Sequence, residues 1–149
     1  MKYEKILNIE ENNGLIAEFM GTPVKFYKED EKTGLFDSDG NPDTVSYDCK
    51  LAIINNLIYE PDRLGYHTSW NWLMPVIEKI EKCLNEAVIF HIKDSRSYLE
   101  LDTQASLAYN LPDLPECYSG FCETKIKAAY CSVIQFIHWY NSQTIWLIN

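Results

Sequence analysis

Tyr66, His67, Ser69, Trp70, Asn71 and Trp72 place a phenol, an imidazole, a hydroxyl, an amide and two indoles within seven residues. A strongly periodic apolar segment starts at the same point, so the group belongs at the first turn of a helix. The first amides of a helix have no partner inside it and carry a partial positive charge, which suits an anion. Indole faces stack on nucleobases at about 1–3 kcal/mol each. Together these features predict a recess for a small anionic or nucleotide-like ligand. The same residues have a structural reading: Ser69 caps, His67 satisfies a local carbonyl, and Trp70 and Trp72 join the core.

A second group lies on a β-hairpin. Val88, Phe90 and Ile92 alternate with Ile89, His91 and Lys93, and Tyr98 and Glu100 alternate with Leu99 and Leu101. A four-residue turn, Asp94-Ser95-Arg96-Ser97, pairs Lys93 with Tyr98 and His91 with Glu100, and puts both apolar sets on one side. The outer face then carries His91, Lys93, Tyr98 and Glu100. Histidine beside glutamate is an acid–base pair, and lysine beside tyrosine can hold an anion.

The five cysteines Cys49, Cys83, Cys117, Cys122 and Cys131 are odd in number, and no signal-peptide apolar run precedes them. That pattern predicts reduced thiols in a cytoplasmic protein, with the thiols serving as small apolar groups. Cys117 and Cys122 are not spaced as a zinc pair, and their nearest candidate partners, Cys131 and His138, lie on a predicted helix whose cysteine face points inward, so no metal is expected. No nucleophile stands against a histidine, and no glycine-rich phosphate loop is present. No catalytic residue and no cofactor are assigned.

The elements that must position these groups follow from periodicity. Trp70, Leu73, Val76, Ile77, Ile80, Cys83 and Leu84 predict a helix buried along that stripe, capped by Ser69 or Asn71, with Pro75 near its start and a bend there if Ser69 is the cap. Leu15, Ile16, Phe19 and Met20 predict an earlier helix, capped by Asn12 or Asn13 and ended at Gly21. Tyr3, Ile6 and Leu7 add a weaker helical signal ahead of it. Ile126, Ala129, Tyr130, Val133, Ile134, Ile137 and Tyr140 predict a last helix from near Glu123. Val24–Phe26 and Leu35–Phe36 predict short strands, and residues 37–43 a hairpin loop, although their side-chain oxygens could also face calcium. Val45, Tyr47 and Cys49 alternate like a strand. Residues 51–58 fit either a short helix or a buried strand. The apolar residues Ile145, Trp146, Leu147 and Ile148 predict a tail that packs on the body or on another copy.

At 149 residues, with 46% hydrophobic and 23% charged, the chain has the size and balance of one globular domain. No apolar run reaches the roughly 18 residues of a membrane span. The net charge of −9 argues against duplex DNA or RNA as a partner. Residues 1–62 hold most of it, with 13 acidic against 6 basic residues.

The segment Tyr66-His67-Thr68-Ser69-Trp70-Asn71-Trp72-Leu73-Met74-Pro75 resembles a block in small uncharacterised proteins of Bacteroidetes and their phages. Leu15-Ile16-Ala17-Glu18-Phe19-Met20-Gly21 and the blocks beginning at Thr124 and ending at Asn141 are similar too. Their order resembles the phage ABA sandwich domain. That resemblance implies helices covering a small sheet and a phage or prophage setting, and it carries over no catalytic residue.

The expected fold is a single α+β domain, residues 1–149, with a small mostly antiparallel sheet flanked by helices in an α/β/α sandwich-like arrangement. The expected function is non-enzymatic capture of a small anionic or nucleotide-like ligand, such as a host defence signal, in the host cytoplasm. Two alternatives stand beside it. One is a protein-interaction or assembly module that uses Trp139, Trp146 and the C-terminal segment, with a homo-oligomer as one form. The other is a small phosphoester hydrolase that uses His91 and Glu100.

Overall fold

The computed structural model describes residues 8–115 and 117–143. Helix α1 spans Ile9–Phe19 and α2 Trp70–Glu86, while α3 covers Thr103–Tyr109 and α4 Lys125–Ser142. Strands β1 to β5 are Lys25–Tyr27, Lys32–Phe36, Pro42–Thr44, Cys49–Ile54 and Leu57–Tyr59. Strands β6 and β7 are Val88–Lys93 and Arg96–Leu101. The fold is α+β, and among the described residues the strands pair antiparallel in three small sheets: β1-β4-β5, β2-β3 and β6-β7.

Helix α1 begins one turn earlier than its apolar spacing suggests. Asn8, not Asn12 or Asn13, is the cap, and its Oδ1 accepts from the Glu11 amide at 3.0 Å. Glu10 and Glu11 then meet the positive end of the helix. Gly21 ends it as expected, with φ +89°, its amide on Glu18 and the Thr22 amide on the Ala17 carbonyl.

The loop between β2 and β3 is residues 37–41, shorter than the expected 37–43, because Pro42 and Asp43 pair into β3. Asp37 Oδ1 accepts from the amides of Asp39 and Asn41, 2.9 Å each. Residues 51–58 resolve as a hairpin. Asn55 and Asn56 both take positive φ, the turn that matches the twist of two paired strands. Val45 and Tyr47 precede the strand, which begins only at Cys49.

Ser69 caps α2 through backbone geometry alone, without a side-chain bond. Leu73, Val76, Ile77 and Ile80 are buried, whereas Trp70, expected on the same stripe, is 37% exposed. Trp70 is the first residue of the helix and lies outside the core cluster, whereas Trp72 and Leu73 of the same turn pack into it. The break in α2 lies at Cys83–Asn85 rather than at Pro75, with Leu84, Asn85 and Glu86 at positive φ. α4, capped by Thr124 Oγ1 at 3.2 Å from the Lys127 amide, is the central helix. Residues from Ala128 to Ile134, and Phe136 and Ile137, are buried around nearly its whole circumference. It packs on α1, α2 and the β6–β7 hairpin. Helix α3 was not legible as an element: Asp102 caps it and none of its residues is buried. No helix among the described residues is long and apolar enough to cross a membrane. The expected apolar tail at 145–148, Trp146 included, and the signal at Tyr3, Ile6 and Leu7 lie outside the described residues.

Candidate functional site

The residues around the start of α2 divide between core and surface. A short 3-10 turn, Gly65–His67, leads into the helix and buries Tyr66. Trp72 meets Tyr59 and Tyr66 edge-on, at centroid distances of 5.4 and 5.2 Å. Burial pushes the Tyr66 phenol up from its ordinary pKa. His67 is half-buried, 3.1 Å from Asn13 Nδ2. Desolvation lowers its pKa, opposed in part by the Leu64 carbonyl and the Asp62 charge. Trp70 and Asn71 face solvent, and Ser69 is intermediate. The expected recess would need Trp70 and Trp72 to line one hollow; instead one indole is committed to packing and the other stands outside.

Three grooves lie elsewhere. One of about 560 Å³ runs along α1 past Glu10, Glu11, Glu18, Phe26, Lys50 and His138. Another of about 530 Å³ follows the end of β7. A third of about 450 Å³ sits beside Tyr47, Cys49 and Glu60. None is lined by Tyr66, His67, Ser69, Trp70, Asn71 or Trp72.

Asn13, on the inner face of α1, was read as a possible cap and proves to be a buried junction. Its Nδ2 donates to the Pro61 and Leu64 carbonyls at 2.9 Å each, and its Oδ1 accepts from Tyr130 at 3.0 Å. A helix-internal asparagine beside apolar residues was the available signal.

The hairpin brings His91, Lys93, Tyr98 and Glu100 to one outer face, with a register two residues from the expected one. The turn has two residues, Asp94 and Ser95, so Lys93 pairs with Arg96 and His91 with Tyr98. A slip of two preserves the face of every side chain, which is why the alternation alone could not detect it. The His91 and Tyr98 rings stack at 4.5 Å and 14°. Glu100 is diagonal to His91 and still reaches it, Oε1 to Nε2 at 2.7 Å. Beyond them the Arg96 guanidinium lies 3.9 Å over the Phe121 ring. Tyr98 is 43% exposed and Phe121 71%. Among the described residues, neither Lys93 nor Arg96 has a carboxylate partner. Sequence reasoning passed over Arg96, assigned to the turn, and Phe121, in a loop without periodicity.

Buried hydroxyls hold this hairpin to the helix behind it. Ser97 Oγ donates to the Ala128 carbonyl at 2.6 Å and lies 2.6 Å from Ser132 Oγ, which donates to the Cys117 carbonyl. Ser119 Oγ accepts from the Ser97 amide at 2.9 Å. These serines have backbone partners and no base among them.

Cys117 and Cys131 are buried, and His138 is exposed on α4. Burial pushes the Cys117 thiol up to about 11, and burial together with Cys122 pushes Cys131 to about 12. No group of three or more metal-ligating side chains occurs among the described residues. Trp139 packs on Phe136 and is half-buried. In comparisons with protein-family models, curated proteins and solved structures, nothing matches this chain.

Proposed function

We propose that the chain is a non-catalytic binding protein that captures a small nucleotide-like or other planar anionic molecule on the outer face of the β6–β7 hairpin. The observation that carries this reading is the stacked His91–Tyr98 pair flanked by Lys93 and Arg96, two cations with no carboxylate partner among the described residues. Exposed aromatic rings offer a surface for a base, and the cations offer charge for a phosphate. Phe121 extends the platform, since Arg96 covers one face of a ring that is largely exposed. The site thus moves from the α2 start to the hairpin. Trp70 and Asn71 stay at the surface outside this site. In the phage or prophage setting that the resemblance implies, capture in the host cytoplasm would withdraw a signal without turning it over.

Calorimetric titration of the chain with mono- and dinucleotides, cyclic dinucleotides included, tests this. Binding of one class, weakened tenfold or more by Tyr98→Ala and by Lys93→Glu but not by Trp70→Ala, supports the hairpin site. Absence of heat across the panel, or equal affinity in Tyr98→Ala, overturns it. The 2.7 Å contact of His91 with Glu100 favours a second reading, general acid–base hydrolysis of a phosphoester. Turnover of a titrated nucleotide that His91→Ala eliminates would select it.

A further inference from the structure

The free edge of β7 is sealed over only part of its length. Ser97 turns its backbone outward, where its amide meets Ser119 Oγ and its carbonyl accepts from the Ser119 amide at 3.0 Å. The Cys122 amide closes on the Ser95 carbonyl at 2.9 Å. By the two-residue period of a strand, the amides and carbonyls of Leu99 and Leu101 point to the same edge. Among the described residues no partner meets them there. Instead a groove of about 530 Å³ opens beside Leu99, Glu100 and Leu101. α3 forms one wall, with Leu107 80% exposed, and Asp113, Leu114 and Pro115 form the other.

We infer that this groove takes an extended peptide from another protein, added as a third antiparallel strand beside β7. Unpaired backbone groups in a row are a template for a strand, and main-chain bonds supply affinity in such additions. Three residues of open edge span about 10 Å, matched by three or four residues of guest. The lining sets the guest's side chains. Leu107, Leu114 and Pro115 receive apolar groups, while Asp113, with no cation in the lining, calls for lysine or arginine at the guest position that faces it; Glu100, at the groove's edge, is already held by His91. A second copy is a poor guest: its own β7 carries no lysine and would bring Glu100 toward a lining that already holds Glu100 and Asp113. This peptide site runs along the β7 edge and meets the hairpin face, which the proposed function assigns to a small molecule, only at Glu100.

The test is fluorescence anisotropy of the full chain with a labelled six-residue peptide alternating lysine and valine. Controls are its glutamate–valine counterpart and a version N-methylated at alternate residues. The lysine peptide binds, the glutamate peptide does not, and N-methylation or Asp113→Lys weakens binding tenfold or more. In the same complex, hydrogen exchange slows at the Leu99 and Leu101 amides and stays unchanged at Ser97, which is already bonded. Equal binding of both charge types, no binding of the lysine peptide, or binding without slowed exchange at Leu99 and Leu101 overturns the proposal. So does a concentration-dependent dimer in sedimentation velocity that Asp113→Lys alters, which would assign the groove to a second copy.

Discussion

The Trp72 indole lies against Gly65 so closely that a Cβ on Gly65 would stand 2.6 Å from Trp72 Cδ1. The glycine is there for space, because the indole is already held edge-on between Tyr59 and Tyr66. Gly65→Ala must therefore displace a ring or shift the 3-10 turn. It should destabilise the fold by about 1–3 kcal/mol, the usual cost of overpacking. Urea denaturation followed by tryptophan fluorescence reads it, and an unchanged midpoint would contradict the packing.

His67 gives the fold a pH dependence of known sign. Desolvation lowers its pKa in the folded chain below the unfolded value of about 6.5. The folded state therefore binds fewer protons than the unfolded one as pH falls past that value. The His67 contribution to stability is complete above about pH 6.5 and is lost as pH drops toward the lowered folded pKa. Thermal melts from pH 8 to 5 should show a fall in Tm that is smaller in His67→Gln. Parallel pH curves for the two proteins would exclude this role.

Asn13 joins α1 to the turn before α2 and to α4. Asn13→Leu removes the amide that donates to the Pro61 and Leu64 carbonyls and the oxygen that accepts from Tyr130. A buried hydrogen bond is worth about 0.5–1.5 kcal/mol, so Asn13→Leu, which loses three, should be destabilised more than Tyr130→Phe, which loses the one to Asn13. Chemical denaturation of both variants checks the order, and a larger loss in Tyr130→Phe would reverse the assignment.

The cysteines should separate by reactivity. Cys117 and Cys131 are buried, with thiols pushed up to about 11 and about 12, so almost no thiolate forms at pH 8. Iodoacetamide on the native chain should spare both and label them only after unfolding. Labelling of Cys131 at the native rate of a free thiol would show that α4 opens.

The elements carrying the most local information were legible. The α2 stripe, the Gly21 stop and the parity of β6 and β7 each rest on residues within a few positions of one another. Trp70 shows the limit: it continues the stripe by spacing, yet it stays 37% exposed at the start of the helix. Helix α3 shows another, because a helix with no buried face leaves no periodic trace. The outer hairpin residues were found as a group because a strand displays alternate side chains whatever its partner does.

Apolar spacing and alternation in the sequence by themselves determined that α2 and α4 are helices, that β6 and β7 are strands and which side of the hairpin faces out, since those are interactions between near neighbours. Only the tertiary structure decided which residues meet. A two-residue change of register leaves every face intact, yet it puts Tyr98 rather than Glu100 directly across from His91. Asn13 becomes a buried junction through Tyr130, 117 positions away, and no local pattern encodes a partner at that distance.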